Sequence, residues 1–220
     1  MSRSRVAGPL RVRARRLAPV LLVIAVALAG CGGGRDTHTQ LHGFVRTPPQ
    51  RVGAVVLPDV ARHAPAPLAL RARPGQLLLV YFGYTFCPDI CPTTLADLHD
   101  ALGRLTPAQR SRVAVAMVTV DPHRDTPKVL NGYLSHFFTS WHALRTTSPV
   151  ALRRAERAFG ARSHIGPKDR HGDYSVSHTA EVYAVGPDGV VRVEWPFGTA
   201  SADIAADLRT ALAREAQPST

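Results

Sequence analysis

No acidic residue precedes Asp36, aromatic side chains make up only 6% of the chain, and cysteine occurs three times in 220 residues. Apolar runs are also short. A transmembrane helix needs roughly 20 consecutive apolar residues, whereas the uncharged stretch Leu17 to Gly30, LAPVLLVIAVALAG, has fourteen. A permanent span is therefore not expected. The few aromatics argue against a surface that stacks nucleic-acid bases. The formal charge of +11 does not restore that reading, because Arg3, Arg5, Arg11, Arg13, Arg15 and Arg16 crowd the first sixteen residues. From residue 31 onward, 21 basic groups face 16 acidic ones, with only Lys128 and Lys168 as lysines. No nucleic-acid partner is expected; a solvated face or attraction to anionic lipid accounts for the remaining excess. At 45% hydrophobic and 20% charged, the chain has a globular composition, with length for one ordinary domain plus a tail.

The arginine-rich start, the apolar stretch and the small residues at its end form a signal peptide pattern over residues 1–30. Leu28-Ala29-Gly30-Cys31 resembles the lipobox of bacterial lipoproteins. That resemblance implies a lipid on Cys31 and a chain anchored to the cell membrane on its extracytoplasmic face. Residues 31–40 are glycine-rich and polar and suit a flexible tether; residues 41–216 form the folded domain. An odd cysteine count normally leaves a thiol over in an exported protein. With Cys31 lipidated, Cys87 and Cys91 remain as a pair with no other cysteine to bridge.

Within the domain, residues 41–72 hold short apolar runs broken by prolines, the pattern of edge strands. LLLVYF, from Leu77 to Phe82, is continuous and apolar, as in a strand buried on both faces. Leu95, Leu98, Leu102 and Leu105 then recur at helical spacing over 92–105. A second buried strand is expected over 113–120, then helices opened by Thr126-Pro127, running to about Phe138, and by Ser148-Pro149, running to Phe159. Two β-rich runs, 179–185 and 190–195, flank the turn Gly186-Pro187-Asp188-Gly189, and a last helix covers 201–214. The order β-α-β-α-α-β-β-α predicts an α/β domain with a central mixed sheet flanked by helices, best matched by a thioredoxin-like fold.

The cysteines lie in YTFCPDICP, between the first central strand and its following helix, where α/β sheets carry their chemistry. Pro92 disfavours helical geometry at Cys91, so Cys91 is expected near the N-cap and Cys87 on the loop before it. A helix N-terminus there would lower the cysteine pKa values. Two functions fit the pair: redox cycling between dithiol and disulfide, or capture of a soft ion such as Cu(I) with a third ligand from elsewhere. A static disulfide would close too short a loop to constrain the unfolded chain much. Structural zinc is disfavoured because it usually takes four closed ligands.

FGYTFCPDICPTTL, VTVDPHRDTP and GPKDRHGDYSVSHTAEVYAVGPDG resemble, in order and spacing, the three signature blocks of the Sco/SenC family. The resemblance covers roughly residues 41–216. It implies a thioredoxin-like fold, bound copper, and support for assembly of the dinuclear copper centre of cytochrome c oxidase. The implied partner is the copper-binding subunit of that oxidase, with other copper chaperones or thiol reductants as further partners. Carried over by position, the copper ligands are Cys87, Cys91 and His178. Some relatives are argued to be thiol-disulfide reductants, which makes Cys87 and Cys91 a redox pair in the alternative reading. Asp121, ending the second central strand at the same edge, is expected to be an outer carboxylate behind the ligands or a partner contact. Asp125 and Thr126 are expected to be helix caps. Phe86 stands where many relatives have histidine.

Overall fold

A computed structural model describes residues 41–61 and 64–216. The expected signal peptide (1–30), Cys31 and the expected tether (31–40) lie outside the described residues.

The uninterrupted apolar run becomes the centre of the sheet. Strand β3, Leu77–Gly83, is buried along its whole length, and each large aliphatic side chain removed from water there contributes about 1.5–3 kcal/mol. It pairs in parallel with β4, Val113–Thr119, so the connection between them must cross over the sheet. The crossover contains α1, Ile90–Gly103, and the four-residue helix α2, Pro107–Arg110. Leu95, Leu98 and Leu102 form the buried face of α1.

Thr126 caps α3, Pro127–Leu134, by accepting the Val129 amide. Ser148 does the same for α4, Pro149–Phe159, through Ala151. Both helices carry proline at the first turn, where its missing N–H leaves no bond unmade. Helix α3 stops short of Phe138. Beyond Leu134 the chain continues in three-residue turns, and the Ser135 hydroxyl donates back to the Gly132 carbonyl.

The complete sheet has seven strands. β1, Val56–Asp59, and β2, Ala66–Ala69, are the early edge strands. β5, His142–Leu144, joins β4 in parallel and β1 in antiparallel sense. β8, Val182–Val185, and β9, Val191–Trp195, form the expected hairpin against the other side of β3. The order is β2-β1-β5-β4-β3-β8-β9. Strand β5 was not expected, because three residues carry too little period to stand out. The expected strand over 179–185 is realised as β8, beginning at Val182. Just before it, β7, Val176–His178, pairs with β6, Ser163–Ile165, in a separate ribbon outside the sheet.

The last helix, α5, Ser201–Glu215, packs beside α1 and fastens the start of the domain. Its Asp207, 1% exposed, accepts the backbone amides of His42 and Gly43, both at 2.9 Å, and the Trp195 indole N–H at 2.8 Å. Burial alone would raise this carboxyl, but those donors hold it below its ordinary value. From there the chain runs along β9, Phe44 exchanging backbone bonds with Glu194. It then passes against the hairpin turn at Gly189, whose φ of +73° and 2.9 Å approach to a side-chain carbon placed on Gly53 suit only glycine.

Replacing Asp207 with Ala strands three donors, two of them backbone. Urea unfolding should show a loss of about 2–4 kcal/mol at neutral pH. Because the folded carboxyl is depressed, the wild-type advantage is present above the ordinary aspartate value and fades as pH falls through the folded value.

Candidate metal centre

The cysteine loop leaves the C-terminal end of β3 and is held down by a carboxylate. Asp125 is fully buried; it accepts the Thr85 amide at 3.2 Å, the Thr85 hydroxyl at 2.6 Å and the Thr119 hydroxyl at 2.5 Å. Burial raises this carboxyl, and the three donors counter it. Asp125 is therefore not a helix cap, as expected from sequence, but a tie between the cysteine loop and the end of β4. Thr126 alone caps α3. Arg145 braces the same turn by donating to the carbonyls of Pro122 and Asp125, each at 2.8 Å.

Cys91 sits one residue inside α1 rather than at its N-cap, which is Asp89. Pro92 tolerates this, since no intrahelical acceptor is available to first-turn amides. The Cys91 amide instead donates to the Cys87 sulfur at 3.3 Å. Cys91 is wholly buried and Cys87 half-buried, and both are free. Gly83 opens the space for Cys91: a side-chain carbon there would stand 2.6 Å from the Tyr81 ring and 3.1 Å from the Cys91 sulfur. The expected lowering of the Cys91 pKa does not occur. Burial pushes the thiol up to about 12, because desolvation of a thiolate outweighs the favourable helix end.

His178 arrives from the other side, at the end of β7. Its Nε2 lies 3.3 Å from the Cys91 sulfur, and its Nδ1 lies 2.9 Å from the Thr179 carbonyl oxygen. A carbonyl only accepts, so Nδ1 carries the proton in the neutral ring and Nε2 turns its lone pair toward the sulfur. Burial lowers the His178 pKa, partly offset by the Thr179 and Phe82 carbonyls. The ring is clamped edge-on by Tyr81 and Tyr84, at 6.0 and 5.7 Å between centroids. Ligand atoms of Cys87, Cys91 and His178 all lie within 4.8 Å of one another, the one such metal-sized group among the described residues. Two soft sulfurs and an imidazole suit a soft, low-coordinate cation. Any such ion must displace the Cys91 proton, so its affinity falls as pH falls.

Asp121 is brought near but not into this group. It is 0% exposed, which excludes the direct partner contact considered from sequence. It pairs with Arg124 and accepts the Tyr174 hydroxyl at 2.8 Å. Arg124 in turn lies 3.9 Å over the Tyr174 ring and 5.1 Å over Phe86, joining the cysteine loop to the segment that leads into β7. Phe86 is thus a cation-π partner exposed beside the site. Sequence reasoning passed over Gly83, Thr85, Arg124 and Tyr174. The FGYT run and the Asp-x-x-Arg spacing of Asp121 and Arg124 were the signals available.

A family model described as SCO1/SenC matches residues 63–213. A protein of Stutzerimonas stutzeri is 31% identical over 173 residues, covering 79% of this chain and 83% of its own length. The chain spans less than half the length of mitochondrial SCO homologues from Danio rerio and Homo sapiens. The structure of Bradyrhizobium japonicum ScoI with copper bound superposes with a TM-score of 0.60 at 29% identity, over 71% of this chain and 96% of that one. BsSco, described as a member of the Sco family of cytochrome c oxidase assembly proteins with a disulfide switch, gives 0.58 at 25% identity, over 80% and 98%.

Gly83→Ala should cost about 1–3 kcal/mol of stability, by forcing the Tyr81 ring and the Cys91 sulfur to move, and should weaken metal uptake; chemical denaturation and metal titration of the same variant measure both. In a histidine NMR titration, His178 should protonate below the ordinary value of 6.5. The unfolded chain takes up that proton first, so the stabilisation from the neutral ring is present above that value and is lost as pH falls through the folded one.

Proposed function

Because the chain belongs to the SCO1/SenC family, we propose that it is a copper-binding assembly factor that holds one copper ion through Cys87, Cys91 and His178 and delivers it to the copper-binding subunit of cytochrome c oxidase. The observation that carries this reading is His178. A redox dithiol needs two sulfurs and no imidazole, whereas here an Nε2 lone pair is held against Cys91 by the Thr179 carbonyl. The copper-bound relative supports the choice of ion, and the description of BsSco supports the assembly role. Copper is the cargo. Two thiolates stabilise Cu(I), and the imidazole lets the same site accept Cu(II). Half-burial of Cys87 leaves a sulfur from which a recipient's thiolate can take over the ion by ligand exchange.

A second reading has its own support in the nearness of the two free sulfurs and in the disulfide switch of BsSco. Here Cys87 attacks a partner's disulfide, a mixed disulfide forms, and Cys91 displaces the partner's second thiol. The partner gains two electrons and two protons while this chain closes a Cys87–Cys91 disulfide. Such a reductase keeps a recipient's copper-binding cysteines ready for metal. In both readings residues 1–30 are the export signal, and lipidated Cys31 anchors residues 41–216 outside the cytoplasm through a tether at 31–40.

The reduced full-length chain should take up one equivalent of copper, with a thiolate-to-copper absorption band in the Cu(II) form. Cys87→Ser or Cys91→Ser should abolish uptake; His178→Ala should weaken it by about tenfold or more while leaving disulfide exchange largely intact. No uptake above that of scattered surface histidines, together with fast exchange, would favour the reductase. Cys31→Ser should release the protein from membranes into the soluble fraction, which cell fractionation reads directly.

A further inference from the structure

Strand β3 carries six apolar or small residues and one phenol. Tyr81 is 0% exposed, so its hydroxyl has given up water. Among the described residues it is one of five buried side-chain polar atoms with no hydrogen-bond partner. Leaving a buried donor unmade is costly, and phenylalanine would fill nearly the same volume without that cost. The polar side chains around it are those of Cys91 and Thr94. Thr94 donates its proton to the Ile90 carbonyl at 2.8 Å, and its oxygen makes no hydrogen bond with the phenol. The Tyr81 ring and the Cys91 sulfur meet over the same glycine, Gly83, and the ring also abuts His178. A thiol sulfur is a weak acceptor, whereas an ionised acceptor makes the stronger, charge-assisted bond. In the metal-free fold the phenol is thus left without a partner.

We propose that Tyr81 is a positioning residue for the metal thiolate, its hydroxyl donating a hydrogen bond to the Cys91 sulfur when that sulfur binds copper. This rests on the copper reading of the site. The bond draws charge from the sulfur, steadies a thiolate in an apolar pocket, and adjusts the electron density the sulfur passes to the metal. No electron moves through Tyr81, and the proton displaced from Cys91 leaves to solvent.

Tyr81→Phe in the full chain separates this role from packing. The metal-free variant should be as stable to heat as the wild type or more so, because an unsatisfied hydroxyl has been removed. Its Cu(I) affinity, measured by competition with a chelator, should fall by about tenfold. Its Cu(II) charge-transfer band should move to longer wavelength, the mark of a more electron-rich sulfur. Wild-type affinity and an unmoved band in the variant would overturn the inference and leave the copper reading intact. A less stable metal-free variant would also overturn it, since the hydroxyl would then have a partner within the metal-free fold. A wild-type chain that takes up no copper removes the copper reading, and this inference falls with it.

Discussion

Asp125, sealed beneath the cysteine loop, is the constraint on which the geometry of the site depends. A carboxylate out of water must be satisfied by protein donors; Thr85 supplies two from the cysteine loop beyond β3, and Thr119 supplies one from the end of β4. The loop cannot lift without exposing that group or leaving it unpaired. Cys87 and Cys91 are therefore presented in a fixed relation to the sheet before any ligand arrives. Asp121 repeats the device one turn earlier and extends it through Arg124 to Tyr174, which belongs to the segment delivering His178. Two buried aspartates thus link the parts of the chain that carry the three side chains of the candidate metal group.

Placement of the sulfurs in the core sets their electrostatics. A helix N-terminus favours an anion by a modest amount that fades within a turn, whereas burial of an uncompensated charge costs several times more. For Cys91 burial wins, and the thiol keeps its proton. The same burial keeps His178 neutral. A protonated thiol beside a neutral imidazole is a site at rest, and a soft cation that binds the Cys91 sulfur must displace its proton. The half-buried Cys87 is the more accessible of the two sulfurs.

Much of this was legible in one sequence. LLLVYF and VAVAMVTV have no polar alternation, so they had to be central strands, and Thr126-Pro127 and Ser148-Pro149 announced helix starts by hydroxyl and ring chemistry. The spacing of Cys87 and Cys91 marked a joint task. His178 became a candidate ligand only through the resemblance, because ten histidines look alike to local reasoning. Strand β5 and the β6–β7 ribbon escaped notice, since three-residue strands are specified by their neighbours rather than by their own period.

By itself, the sequence determined the order of the long elements, the central position of β3 and β4, and the chemistry available at the strand end, since periodicity and capping act within a few residues. Only the tertiary structure decided how that chemistry is used. It turned Asp125 from a cap into a tie, buried Asp121 and raised the Cys91 thiol. It also brought Nε2 of His178 to 3.3 Å from a sulfur 87 residues away. Each of these depends on what distant segments exclude from water, and that is a property of packing which no local pattern encodes.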